Sequence, residues 1–92
     1  MAENIVRMEL HFFGQVQGVG FRYRAYHAAN GFGLTGWVQN LPDGSVLCEV
    51  QGERELIDRM IAQVASGRYV EITDLRSKKL AIQDGERSFG IR

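Results

Sequence analysis

The segment from Gly14 to Arg22, GQVQGVGFR, combines residue types that suit the binding of an anion. Its three glycines allow left-handed backbone conformations and a close approach of the main chain to a ligand. If a helix begins at Phe21, the free N–H groups and partial positive charge of its first turn would join those of the loop. In that turn, the guanidinium of Arg22 could bind two phosphate oxygens at once. The segment therefore predicts a phosphate site, although ordinary strand-to-helix connections also look like this, and the spacing fits neither GxxxxGK[ST] nor GxGxxG.

Asn40 is the second residue with a possible chemical role, because it directly precedes the turn at 41–44, LPDG. Asparagine is common at such positions, where it caps turns, so the residue could be purely structural. If its strand ends at the same edge of the sheet as the glycine loop, the amide would face a bound phosphate. An amide can hydrogen-bond a water in either direction, but it cannot act as a general base at neutral pH.

Hydrophobic periodicity predicts two helices, four main strands and a short final strand. In chain order, the segments are a strand at 5–13, a helix from 21 to about 31–33, strands at 35–40 and 45–51, a helix over 56–64, strand-like residues at 69–83 and a short strand at 89–92. The segment at 74–79 is consistent with a bend, a bulge or a loop. Gly90 is expected to weaken the last strand.

This order of elements predicts an α+β sandwich. Two helices that each connect strands imply crossovers, and both apolar helix faces must cover the same face of an antiparallel sheet. The opposite face of the sheet is then expected to face solvent. With 92 residues, the chain is expected to form one domain spanning residues 1–92.

Composition narrows the range of functions. Eleven basic and eleven acidic residues give no net charge, whereas nucleic-acid binders usually have a basic excess. One cysteine excludes an internal disulfide, and no Cys/His cluster has metal-ligand spacing. Neither a signal peptide nor an apolar run long enough for a membrane span is present. We therefore expect a cytoplasmic monomer without metal, cofactor, membrane or nucleic-acid partner.

The remaining polar residues have ordinary structural interpretations. His11 is expected on the solvent face of the first strand and His27 on the first helix. Cys48 alternates with two valines, which favours a small core residue over a nucleophile. His11 and Phe13 are the only hint of an aromatic RNA-binding surface on the sheet.

Two motifs together give a specific resemblance. Residues 14–22 match the acylphosphatase signature GxVQGVxFR at every fixed position, and residues 36–52, GWVQNLPDGSVLCEVQG, are similar to the second signature of that family. The terminal FxIR at 89–92 also fits, so the resemblance covers nearly the whole chain. Many members continue with a tyrosine after this segment, which puts the docking of the C-terminal residues in doubt.

The resemblance implies a ferredoxin-like fold and a set of site residues. Arg22 would bind the phosphate and Asn40 would orient the attacking water. The backbone amides of the loop would form the rest of the phosphate cradle, namely those of Gln17, Gly18, Val19, Gly20 and Phe21.

The implied activity is metal-independent hydrolysis of acyl phosphates to carboxylate and inorganic phosphate. The alternative is a non-catalytic module that binds phosphate or carbamoyl phosphate, since similar domains occur within larger carbamoyl-transfer proteins. A free-standing chain of this size favours the enzyme.

Overall fold

The computed structural model describes residues 4–92, which form two helices and five strands. The elements in chain order are β1 (Ile5–Gln15), α1 (Phe21–Gly31), β2 (Thr35–Asn40), β3 (Val46–Glu53), α2 (Arg54–Ala65), β4 (Glu71–Leu80) and β5 (Phe89–Ile91). Both predicted helices, the β2–β3 hairpin and the short last strand are confirmed. No helix among these residues is long and apolar enough to cross a membrane.

The five strands form one sheet in the order β4-β1-β3-β2-β5. β1 pairs antiparallel with β3 and β4, and β2 pairs antiparallel with β3. β5 alone runs parallel to its neighbour, β2. The predicted ferredoxin-like sandwich is therefore confirmed, with one parallel pair added at the edge of the antiparallel sheet.

The hydrophobic core lies between the two helices and one face of the sheet. The alternation predicted for β1 is confirmed, because Met8, Leu10 and Phe12 are all buried in it. α1 contributes Phe21 and three alanines, whose small side chains allow close packing, and α2 contributes Ile57, Met60 and Val64. Cys48 is buried among them, and desolvation raises the pKa of its thiol, as expected for a core residue rather than a nucleophile.

β4 resolves the ambiguity that the sequence left at 74–79. These residues lie within one continuous strand, which pairs with β1 from Arg7 to Gln15. The irregularity lies just before this segment, because the register shifts between Phe13 and Gly14 of β1 and leaves Thr73 of β4 without a partner in β1. Gly14 has φ 120°, and a Cβ there would collide with the carbonyl oxygen of Glu71. A glycine is required at this position for β1 and β4 to pair so closely.

The C-terminal residues are docked, contrary to the doubt raised by the sequence. β5 pairs with β2 from Phe89 to Ile91, although Gly90 lies in its middle. Beyond it, the backbone N–H of Arg92 donates to the carbonyl oxygen of Val38 over 2.8 Å. The guanidinium of Arg92 lies 4.1 Å from the centroid of the Trp37 ring, within the range of a cation–π interaction.

The sheet face opposite the helices is not fully open to solvent, which corrects the expectation from the sequence. Arg7, at a polar position of β1, is only 2% exposed. Its guanidinium donates to Glu49 over 3.0 Å and to Glu86 over 2.8 Å. The backbone of Gln83 bonds the side chain of Gln51, the residue paired with Arg7. The connection at 81–88 therefore crosses and covers one end of this face on its way from β4 to β5.

Glu86→Gln is expected to destabilise the protein at neutral pH and to have little effect in acid. Burial alone would raise the pKa of Glu86, but the hydrogen bonds from Arg7 and Thr35 and the charges of Arg7 and Arg92 together outweigh it, so the pKa lies below its usual range. This stabilisation is present above the unfolded-state pKa of roughly 4.3 and is lost as pH falls through the lower folded-state value. We expect a loss of roughly 1.5 to 3 kcal/mol in the free energy of unfolding at pH 7.

Urea unfolding of both proteins between neutral and acid pH measures this difference. Glu71→Gln is the control, because Glu71 is an exposed carboxylate at the start of β4. Stability curves of Glu86→Gln and the parent that stay parallel down to acid pH would contradict the role given to this ion pair.

Candidate active site

The glycine loop reaches α1 with its donor groups unused. Gly18 has φ 75° and Gly20 φ 79°, so the chain turns through left-handed conformations directly before Phe21. Gly20 occupies the N-cap position, where it provides no capping side chain. Within residues 4–92, no backbone N–H from Gln17 to Tyr23 donates to a protein acceptor. Such a run of free N–H groups at a helix N-terminus favours an anion.

Apolar packing fixes both ends of this loop. Val16 is fully buried and Phe21 is 2% exposed. The ring of Phe21 packs edge to face on Phe12 of β1, with centroids 4.9 Å apart. The loop between these anchors therefore starts and ends at positions set by the core.

A glutamine side chain ties the loop to the β2–β3 turn. Nε2 of Gln17 donates to the carbonyl oxygens of Leu41 and Ser45, both over 2.8 Å. Gln17 was predicted only for its backbone amide, so this second role was missed. The signal was a polar residue between the apolar Val16 and Val19 of a glycine-rich segment.

Arg22 and Asn40 line the same cleft, which has a volume of about 220 Å³. Gly18, Gly20 and Phe21 line it as well, so four of the six residues predicted to bind phosphate border one space. The other two do not border it. The side chain of Gln17 is turned to the neighbouring turn, and Val19 packs against the core.

The two polar side chains of the cleft are differently placed. Arg22 is half-buried, and its only hydrogen bond among the described residues is a long one of 3.5 Å to the carbonyl oxygen of Arg92. Oδ1 of Asn40 is buried and has no hydrogen-bond partner within residues 4–92. A buried acceptor without a donor is costly, so this atom is suited to a ligand that donates a hydrogen bond. The guanidinium of Arg22 could therefore bind an anion, and Oδ1 of Asn40 could accept a hydrogen bond from a water.

A chain of hydrogen bonds stabilises the turn that follows Asn40. Ser45 is buried, and its hydroxyl and backbone N–H both donate to Oδ1 of Asp43, over 2.5 and 2.9 Å. These bonds lower the pKa of Asp43. Nε2 of His11 lies 2.7 Å from the Ser45 hydroxyl. His11 therefore braces the turn from the neighbouring strand, a role that its position in the sequence did not reveal.

The charge of the cleft suits an anion. Its lining contains the cation Arg22 and no Asp, Glu or His. The first turn of α1 also has no acidic residue that would oppose an anion at the helix N-terminus. An incoming phosphate would therefore meet one guanidinium, free N–H groups and no nearby carboxylate from the cleft lining.

Gln17→Ala is expected to weaken phosphate binding by releasing the loop from the turn. The loss in unfolding free energy should be modest, roughly 1 to 2 kcal/mol for two neutral hydrogen bonds. Both carbonyl oxygens keep a second donor, because Leu41 and Ser45 also accept the N–H groups of Gly44 and Leu41 respectively. Calorimetric titration with inorganic phosphate measures the affinity. Gln15→Ala, which removes one exposed hydrogen bond to Tyr69, is the matched control. Equal phosphate affinity in both folded variants would contradict the proposal that the Gln17 side chain positions the loop for phosphate.

The chain has clear relatives among known proteins. The family model described as acylphosphatase matches residues 8–91. An acylphosphatase of Clostridium acetobutylicum is 40% identical over 86 residues, covering 92% of this chain and 94% of that protein. The crystal structure of acylphosphatase from Bacillus subtilis superposes with a TM-score of 0.86 at 30% identity, covering 95% of this chain and 98% of that one.

A second type of relative is much longer. The crystal structure of full-length HypF, in a phosphate- and nucleotide-bound form, matches all of this chain but only 12% of its own, with a TM-score of 0.87 and 26% identity. The family model covers most of the chain, and the two site motifs fall within the matched residues. The chain belongs to the acylphosphatase family.

Proposed function

We propose that this protein is an acylphosphatase, which hydrolyses the carboxyl–phosphate bond of acyl phosphates to a carboxylate and inorganic phosphate. The observation that supports this best is the shared cleft of Arg22 and Asn40. It combines a cation and unused N–H donors with a buried amide oxygen that lacks a donor. A phosphate and a water could therefore be held side by side.

Arg22 and the loop amides bind the phosphoryl group in this proposal. The guanidinium contacts two of its oxygens, and the N–H groups at the start of α1 contact the remaining charge. As the bond to the leaving group loosens, these donors stabilise the charge on the equatorial oxygens. They supply electrostatic stabilisation that a metal ion provides in other phosphoryl-transfer sites. We therefore propose that the reaction requires no metal or other cofactor.

Asn40 positions the attacking water. Oδ1 accepts a hydrogen bond from the water, which leaves a lone pair of the water oxygen directed at phosphorus. The new bond forms between this oxygen and phosphorus, and the phosphorus–oxygen bond to the acyl group breaks. The carboxylate leaves with the electron pair. Because the lining contains no Asp, Glu or His, the proton of the water passes to the substrate phosphate.

The expected partner is a small acyl phosphate, with the protein acting as a cytoplasmic monomer that binds no nucleic acid. The alternative is a non-catalytic module for phosphate or carbamoyl phosphate. Similarity to HypF favours this alternative, because there the same fold occupies a small part of a long chain.

Hydrolysis of benzoyl phosphate by the purified protein in excess EDTA distinguishes the enzyme from the non-catalytic module. We expect turnover that EDTA does not reduce, with Arg22→Ala measured in parallel to detect a contaminating phosphatase. A folded protein that binds inorganic phosphate but does not hydrolyse benzoyl phosphate would favour the binding module. Turnover that stops in EDTA would contradict the metal-independent mechanism.

A further inference from the structure

A second cleft adjoins the candidate active site. It has a volume of about 380 Å³ and shares Gly20 and Tyr23 with the first cleft. Its other lining residues are Arg24 and His27 of α1 and Gln63 of α2. The cleft therefore extends from the N-terminus of α1 along the groove between the two helices, directly beside the place proposed for the phosphate.

Arg24 carries the main positive charge of this second cleft. Among residues 4–92, no carboxylate forms an ion pair with it. Its side chain lies against the backbone just after α2, because a Cβ on Gly67 would be 2.8 Å from Nε and 3.0 Å from Cδ of Arg24. The absence of a Cβ on Gly67 thus leaves room for the side chain of Arg24, which remains exposed in the cleft. An arginine held in a cleft without a carboxylate is available to an external anion.

The other lining groups suit a polar anionic ligand as well. His27 is one turn beyond Arg24 on the same helix, so both face the same side. The ring of Tyr23 packs edge to face with His27, at a centroid distance of 4.7 Å. Gln63 provides amide donors from the opposite helix. No Asp or Glu lines the cleft.

We propose that this second cleft, referred to below as the acyl subsite, binds a second anionic group carried by the acyl part of the substrate. The inference rests on the proposed function, because it extends the same site. Gly20 and Arg24 are separated by roughly 6 Å along the helix at 1.5 Å per residue. An acyl group of a few carbon atoms that ends in a carboxylate or a phosphate would span this distance. The preferred substrates are then acyl phosphates with a terminal anion, and Arg24 is a specificity-determining residue.

The reaction at phosphorus is unchanged by this subsite. Water attacks the phosphoryl group and the acyl carboxylate departs, while the terminal anion stays bound to Arg24 and keeps its bonds. The subsite therefore acts on the choice of substrate. Acyl phosphates with a neutral tail would be hydrolysed without using it.

The test compares substrates that differ only in the terminal group. They are para-carboxybenzoyl phosphate and para-phosphonobenzoyl phosphate, with para-methylbenzoyl phosphate as the neutral partner. For the parent protein, we expect kcat/KM to be higher for the anionic substrates. Arg24→Gln should lower kcat/KM for them by roughly fivefold or more, the effect of losing one partly exposed charge-assisted contact, and should leave the methyl substrate unchanged. The two anionic substrates distinguish a carboxylate from a phosphate as the preferred terminal group.

Two further variants control for charge and geometry. Arg59→Gln makes the same charge change at an exposed site of α2 outside both clefts and should not alter the substrate preference. Arg24→Lys keeps the positive charge and should retain part of the preference for anionic substrates. If the methyl substrate is hydrolysed, two results would overturn the acyl subsite. One is an equal effect of Arg24→Gln on kcat/KM for all three substrates, and the other is a parent protein that does not prefer the anionic substrates. Failure to hydrolyse any of the three would instead overturn the proposed function.

Discussion

Replacement of Arg22 by alanine is expected to lower kcat/KM for benzoyl phosphate by about 10³-fold or more, with losses in both binding and turnover. The guanidinium would contact the phosphoryl oxygens in the ground state and in the transition state, so its removal should raise KM and reduce kcat. The magnitude follows from sites in which a single arginine stabilises a transferring phosphoryl group, where the effect is about 10³- to 10⁵-fold.

The stability of the Arg22→Ala protein should change little. Among the described residues, the side chain of Arg22 makes only one hydrogen bond, a long one of 3.5 Å to the main chain of Arg92. Steady-state kinetics and thermal unfolding on the same samples separate a catalytic loss from unfolding. Arg59→Ala is the control for removing an exposed arginine from a helix. An Arg22→Ala protein that binds inorganic phosphate as tightly as the parent would contradict the role assigned to this guanidinium.

Replacement of Asn40 by alanine is expected to lower kcat by about 10²- to 10³-fold, comparable to the loss of one positioned donor in other enzymes. Inhibition by inorganic phosphate should stay the same, because Arg22 and the loop amides remain. This separation of kcat from phosphate affinity distinguishes a residue that positions water from one that binds the phosphoryl group.

The stability of Asn40→Ala provides an independent sign of the same role. Because Oδ1 of Asn40 accepts no hydrogen bond from residues 4–92, removing it should change the free energy of unfolding by no more than about 1 kcal/mol. Gln39→Ala, at the neighbouring position of β2, is the matched control and should keep full activity. Intact turnover in Asn40→Ala, or a parallel loss of phosphate affinity, would contradict the assignment.

The elements that follow from local periodicity could be predicted from the sequence. β1 alternates between apolar and polar residues, and α1 and α2 each bury one apolar stripe, so their positions required no tertiary information. Burial of Arg7 could not be predicted, because it depends on residues near Glu86 crossing the sheet from far along the chain. An arginine at a polar position of an alternating strand is expected to be exposed to solvent.

The same limit applies to the candidate site. The glycine loop and Arg22 could be interpreted locally as a phosphate cradle, since the donors and the cation come from one short segment. Asn40 could be linked to them only through the resemblance of two separate motifs, because its proximity depends on how β2 lies beside the loop. The support from the side chains of Gln17 and His11 was missed altogether, since each contacts a residue of the β2–β3 turn that lies far away along the chain.

The position of oxygen-18 after a single turnover in labelled water tests the central claim most directly. If Arg22 holds the phosphoryl group and Asn40 directs the water at phosphorus, the label should appear in inorganic phosphate, and the benzoate released from benzoyl phosphate should remain unlabelled. Mass spectrometry of both products, corrected with the Arg22→Ala protein for uncatalysed hydrolysis, gives the result. Label in the benzoate would show that water attacks the carbonyl carbon, and it would contradict the arrangement proposed for this cleft.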